Sequence, residues 1–137
     1  MTATATRMLG GVIVVLLAHP GVGSAEPDLR LVGAVKSQNH AAVQTLLQDG
    51  VDVSAAQPDG TTALHWAVYW GAHDTVDRLI EAGARINAVN DFGATPLWTA
   101  CTEGSATLIG RLLRAGADPN IALRLGETPL MTAARTG

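Results

Sequence analysis

Cysteine is almost missing from this sequence. Cys101 is its single example, so no intramolecular disulfide can staple the fold and stability must come from packing. An excess of basic charge is missing too: nine basic residues stand against twelve acidic ones, for a formal net charge of −3. That balance supplies no positive field to hold nucleic acid. The N-terminal apolar run at residues 8–18 has 11 residues, against the roughly 20 needed to cross a bilayer. Catalytic signatures are absent as well. There is no phosphate-binding Gly-Lys loop, no Gly-x-Ser-x-Gly elbow and no His-Glu-x-x-His helix. Gly21-Val22-Gly23 is a poor partial match to a dinucleotide loop. Beyond residue 25 the histidines are His40, His65 and His73, and the nearest two are eight apart across a predicted helix break. No metal site and no cofactor are expected from that spacing. What is present is an apolar fraction of 47%, ordinary for a globular protein and contrary to disorder.

The first 25 residues have to be set aside before a fold is argued. Arg7 is their only charge; the apolar run follows it, then His19-Pro20-Gly21, then Gly23-Ser24-Ala25. A positive start, a short apolar stretch and a small-residue end describe a secretory signal peptide cleaved after Ala25. The rival reading, a membrane anchor, fails on length. Export to a periplasmic or extracellular compartment is therefore expected, with membrane contact only through an uncleaved signal segment.

Past that point the sequence repeats itself. Gly60, Gly93 and Gly126 fall 33 residues apart, and so do Thr62, Thr95 and Thr128. The same interval joins Leu64, Leu97 and Leu130, and also Ala67, Ala100 and Ala133. Gly71, Gly104 and Gly137 keep it, as do Gly50, Gly83 and Gly116. So many series in one register mark a repeat architecture.

Each part of the unit has a local cause. Thr95-Pro96-Leu97 and Thr128-Pro129-Leu130 read as helix starts: the hydroxyl accepts an early backbone N–H, and proline suits the first helical position. Thr62-Ala63-Leu64 is the same start without proline. A two-turn helix then reaches Gly71 or Gly104, where glycine lets the chain leave. A second helix carries Val76, Leu79 and Ile80 in one copy, and Leu108, Ile109, Leu112 and Leu113 in the next. Spacings of three and four give it one apolar face. Gly83 and Gly116 end these helices, and residues 87–93 and 120–126 are rich in turn formers. Neither helix is long enough to stand alone in water. Its apolar face must be buried on the neighbouring copy, which makes a solenoid.

The segment Asp59-Gly60-Thr61-Thr62-Ala63-Leu64-His65-Trp66-Ala67 resembles the ankyrin-repeat signature, and Gly83-Ala84-Arg85-Ile86-Asn87-Ala88 resembles its close. Gly93-Ala94-Thr95-Pro96-Leu97 and Gly116-Ala117-Asp118-Pro119-Asn120 supply the next copy. The resemblance covers about residues 28–137 and implies an all-α ankyrin-repeat solenoid of helix-turn-helix units joined by β-turn loops, preceded by a signal-peptide helix. Residues 1–25 are then the signal peptide and 26–58 a degenerate first copy, or cap. Residues 59–91 and 92–124 are full copies, and 125–137 a partial one. The first copy keeps Leu46, Leu47, Gly50, Asp52 and Val53 but lacks the Thr-Pro-Leu start. There are other departures. The signature histidine occurs only as His65, with Trp98 and Met131 as its counterparts, and Pro119 precedes Asn120. The fourth copy stops after its first helix, and on that ground a longer array is expected.

His65, three residues after Thr62, is placed to cap its helix start. Cys101 reads as a small buried hydrophobe with no basic neighbour to activate it. Asn87 and Asn120 are expected to hydrogen-bond the loops. All five aromatic residues, Trp66, Tyr69, Trp70, Phe92 and Trp98, lie in two adjacent copies. Trp66 sits between core positions and reads as packing. In ankyrin proteins the turn tips and first helices form the concave surface that contacts partners. By that resemblance the matching positions are Asp59, Thr61, Tyr69 and Trp70, then Asp91, Phe92, Thr102 and Glu103, then Arg124, Leu125, Glu127 and Arg135. Exposed tryptophan and tyrosine dominate binding hot spots, although an aromatic near a copy boundary can also simply pack. Charge along this strip passes from Asp59, Asp91 and Glu103 to Arg124 and Arg135. It could match a polar partner or merely solubilise. The expected function is a non-catalytic, exported protein-interaction scaffold with a protein partner on the concave face and no nucleic acid. The alternative is the N-terminal regulatory or targeting region of a larger secreted enzyme.

Overall fold

The computed structural model describes residues 25–137. The expected signal-peptide helix falls outside the described residues. Helices α1 (Arg30–Lys36), α2 (His40–Gln48), α3 (Ala63–Tyr69), α4 (His73–Glu81), α5 (Pro96–Thr102), α6 (Ala106–Arg114) and α7 (Pro129–Thr136) follow one another. Among the described residues there is no strand; extended pairing is confined to an isolated antiparallel bridge between Ala56 and Thr62. Each copy is a helix pair, and α7 is the first helix of the fourth.

The helix starts form as their residue types dictate. The Thr95 hydroxyl accepts the Trp98 N–H at 3.1 Å and the Thr128 hydroxyl accepts that of Met131 at 3.3 Å. Pro96 and Pro129 occupy the first turn, where a missing N–H costs nothing. In α3, which lacks the proline, the ring of His65 reaches back instead. Its Nδ1 accepts the Thr62 backbone N–H at 3.2 Å and lies 2.9 Å from the Thr62 hydroxyl. Histidine thus takes the part that glutamate plays in a capping box. Asn39 and Ser105 cap α2 and α6 by accepting from Ala42 and Leu108 at 3.1 and 3.3 Å.

Helices α1, α3, α5 and α7 pack in a row, each on the next, while α2, α4 and α6 each lie against the first helix of their own copy. Leu31, Leu64 and Leu97 occupy equivalent positions and are 1%, 0% and 2% exposed. From the second helices Val43, Val76, Leu79, Leu108 and Leu112 complete the core. Burying each such side chain contributes about 1.5–3 kcal/mol, which short helices need in order to persist.

Three positions depart from the sequence pattern. Leu130, in register with Leu64 and Leu97, is 73% exposed, because no further helix among the described residues covers that side of α7. Leu113 is half-exposed, since it follows the fully buried Leu112 by one residue and so turns about 100° off the apolar face. The degenerate first copy, finally, forms a complete pair. Leu31, Val32 and Val35 of α1 are buried as deeply as their counterparts in α3.

Candidate interaction groove

Three β-turns rise beside the row of first helices. Gly60, Gly93 and Gly126 donate their N–H groups to the carbonyls of Gln57, Asn90 and Leu123 at 2.8, 2.9 and 2.8 Å. The same three residues donate in turn to Thr61, Ala94 and Glu127 at 2.9, 3.1 and 2.8 Å, which closes each loop. Side chains firm two of the tips. Asp59 Oδ1 accepts the Thr61 N–H at 2.9 Å, and Asn90 Oδ1 accepts those of Phe92 and Ala94 at 3.0 Å each. These are the Asx contacts that favour Asp and Asn in turns.

Neighbouring turns are also joined to one another. Asp91 donates its N–H to the Asp59 carbonyl at 2.8 Å, and Arg124 donates to that of Phe92 at 3.3 Å. The approach is so close that a Cβ on Gly93 would lie 2.8 Å from Arg124 N and 2.9 Å from Leu123 Cα. A Cβ on Gly60 would meet Asn90 Cα at 2.9 Å. Both glycines also hold positive φ angles. Their conservation of interval therefore has two physical causes, backbone conformation and clearance.

Between this wall and the first helices runs a groove of about 700 Å³. Tyr69, Trp98, Thr99 and Thr102 come from the helices, Phe92, Leu123, Arg124 and Leu125 from the turns, and Glu103 from the end of α5. Phe92 and Leu125 occupy the same position in successive turns and are 71% and 97% exposed. A smaller hollow of about 380 Å³, lined by Asp59, Thr61, His65 and Trp66, shares Tyr69, Asn90 and Thr99 with it. The two form one continuous strip across three copies. Large exposed apolar side chains rimmed by polar ones mark interaction surfaces.

Charges of both signs border the strip. Asp59 lies in the smaller hollow, while Glu103 and Arg124 line the larger groove. Ion pairs among the described residues are Arg30–Asp28, Arg111–Asp77 and Arg135–Glu127, so neither Glu103 nor Arg124 is neutralised by one.

Three groups on or behind the strip are buried. His65 Nε2 meets the Ala94 carbonyl at 3.0 Å, tying α3 to the next turn. With Nδ1 accepting from Thr62, Nε2 must carry the proton and donate it. Burial pushes the His65 pKa below its ordinary value, outweighing the Ala94 carbonyl and the Asp59 charge, which both raise it. Trp98 stands at the corresponding position of the next copy, and its indole N–H is buried with no partner among the described residues. Cys101 is buried, and burial pushes its thiol pKa up, the opposite of an activated nucleophile. Among the described residues no three of His, Cys, Asp and Glu converge to hold a metal ion.

The structure divides the residues singled out from the sequence. Tyr69, Phe92, Thr102, Glu103, Arg124 and Leu125 meet in the larger groove, and Asp59 and Thr61 in the smaller hollow. Trp70 turns away. Its indole N–H donates to the Lys36 carbonyl at 3.2 Å and its ring meets Tyr69 edge-on at 5.0 Å, so it packs toward the first copy. Asp91 is exposed but lines neither hollow. Glu127 accepts from Arg135 and from the Thr132 hydroxyl, both at 2.8 Å, and so is held within its own copy. Trp66 packs as expected, with its indole N–H on Gln57 Oε1 at 2.8 Å and Lys36 Nζ over its ring at 4.9 Å. Asn87 also behaves as expected, accepting the Asp118 N–H of the next loop at 2.8 Å. Sequence reasoning missed Trp98, Asn90, Thr99 and Leu123 as groove residues. Trp98 alone had a signal: an aromatic residue stands there at the position of a capping histidine.

Among the described residues no helix is long and apolar enough to cross a membrane. Compared with known families, the chain matches the model described as ankyrin repeats (3 copies) over residues 9–90, 31–122 and 73–137. No curated protein matches it.

Proposed function

Because the chain belongs to the ankyrin-repeat family, a family of protein-interaction scaffolds, we propose that it is a non-catalytic binding module whose protein partner sits on the concave strip of turn tips and first helices. The observation that carries this reading is the continuous groove in which Phe92 and Leu125 stay exposed beside Tyr69 and Trp98. Isolated exposed apolar residues are common on proteins, but several converging on one groove are not. Aromatic side chains give large contact area at low entropic cost, which suits them to anchor a partner. Trp70, still 43% exposed, lies outside that groove with its indole N–H on the Lys36 carbonyl, so it is left out of the proposed anchor.

A site-specific test uses a photo-crosslinking residue at Phe92, compared with the same residue at Arg78 on α4, outside the strip. The expected result is partner adducts at position 92 and none at 78. Adducts at both positions alike, or at 78 only, would remove the strip from consideration.

Export forms the second half of the proposal and rests on the N-terminal sequence: one arginine, a short apolar run and the small residues ahead of Glu26. The periplasm or the extracellular space is the destination. Mass spectrometry of the product recovered from a secreting host should show a chain beginning at Glu26. Recovery with the first 25 residues intact, in the cytosol, would refute it.

A further inference from the structure

Resting on the scaffold reading, we propose that the groove's occupant is an extended polypeptide segment of about six residues, with one bulky apolar side chain between a basic residue and an acidic one. Length follows from the architecture. The strip passes three successive turns, and packed helices stand about 8–10 Å apart, so two spacings take about six residues at roughly 3.3 Å each. The groove is open along this line and continues through Tyr69, Asn90 and Thr99 into the smaller hollow. An elongated, open strip suits an extended chain better than a compact small molecule, which needs an enclosing pocket.

The apolar anchor follows from the middle of the strip. Phe92 and Leu125 form one wall and Trp98 and Tyr69 the floor. A single aliphatic or aromatic side chain placed there would cover surface that is now wet. The flanking charges follow from which hollow each one borders. Asp59 lies at one end, and Glu103 and Arg124 border the larger groove without ion-pair partners among the described residues. Complementarity therefore asks for a basic residue toward Asp59 and Glu103 and an acidic one toward Arg124. Such rim charges set register and discriminate among partners more than they add affinity.

The test selects from a displayed library of random heptapeptides on the folded chain and measures the enriched peptides by fluorescence anisotropy. Enriched sequences should carry a bulky apolar residue between opposite charges. The exchange Glu103→Arg with Arg124→Glu keeps the net charge and touches two exposed side chains, so the fold should persist, as circular dichroism would verify. It should weaken the selected peptide about tenfold, or about 1.4 kcal/mol, and a peptide with its two charges exchanged should regain part of that loss, since Asp59 is unchanged. Phe92→Ser should weaken both peptides. Enriched peptides without that charge pattern, or a charge exchange with no effect, overturn the inference. So does a library that yields nothing. In each of those cases the scaffold reading still stands if the Phe92 photo-probe captures a protein, and falls with the inference if it does not.

Discussion

Gly60, Gly93 and Gly126 occupy one position in three successive turns, with φ of +82°, +86° and +87°. A Cβ at any of them meets the same backbone penalty, about 1–2 kcal/mol for a left-handed conformation, partly offset by about 0.4–1 kcal/mol from a stiffer unfolded chain. Only the surroundings differ. At Gly93 the added atom would press on backbone, at 2.8 Å from Arg124 N and 2.9 Å from Leu123 Cα, whereas at Gly126 nothing among the described residues lies within 4 Å. Backbone cannot swing aside as a side chain can, and the Arg124 N–H is already bonded to the Phe92 carbonyl at 3.3 Å. Overpacking of this kind costs about 1–3 kcal/mol. Gly126→Ala should therefore cost about 1 kcal/mol in this chain and Gly93→Ala about 2–4 kcal/mol. Urea denaturation followed by far-ultraviolet circular dichroism can resolve that gap, with both variants compared at unchanged m-value. Equal losses at the two positions would show that conformation alone selects these glycines, and the argument from clearance would be wrong.

Leucine truncation should reveal the same asymmetry. Leu97→Ala, in the core, should cost about 2–5 kcal/mol, while Leu130→Ala, 73% exposed, should stay within about 0.5 kcal/mol; similar midpoints in denaturant would contradict the packing described. Gln38 holds a φ of +57° at the place where the later copies have Gly71 and Gly104, so Gln38→Gly should raise stability by up to about 1 kcal/mol, and a fall in thermal midpoint would argue against strain there. His65 adds a pH dependence: its folded pKa lies below the ordinary 6.5, so the unfolded chain binds the proton first. Stability should be full above about pH 6.5 and decline as the pH falls toward the lowered folded value, most clearly as a gap between the protein and a His65→Gln variant that closes on acidification. A His65 ring resonance titrating above 6.5 would reverse that sign.

Local chemistry was legible in the sequence to a considerable depth. Thr95-Pro96 and Thr128-Pro129 start helices because their caps lie within three residues, and Gly71 and Gly104 end them for reasons of φ alone. The 33-residue interval places Leu64 and Leu97 in a shared core, where both are buried. Such causes act over a few residues or recur by translation, so the primary structure contains them. Tertiary structure alone decided the rest. Leu130 repeats the core pattern yet lies exposed, because burial depends on a neighbour and not on the residue. Trp70 and Phe92 both stay exposed, but Trp70 is bonded to the Lys36 carbonyl outside the groove while the close-set turns leave Phe92 on its wall. Trp98 entered that groove as the replacement for a capping histidine, lining it together with Tyr69 of the preceding copy and Leu123 and Leu125 of the next turn. Which side chains share a surface depends on how successive copies stack, and no interval in the sequence carries that distance.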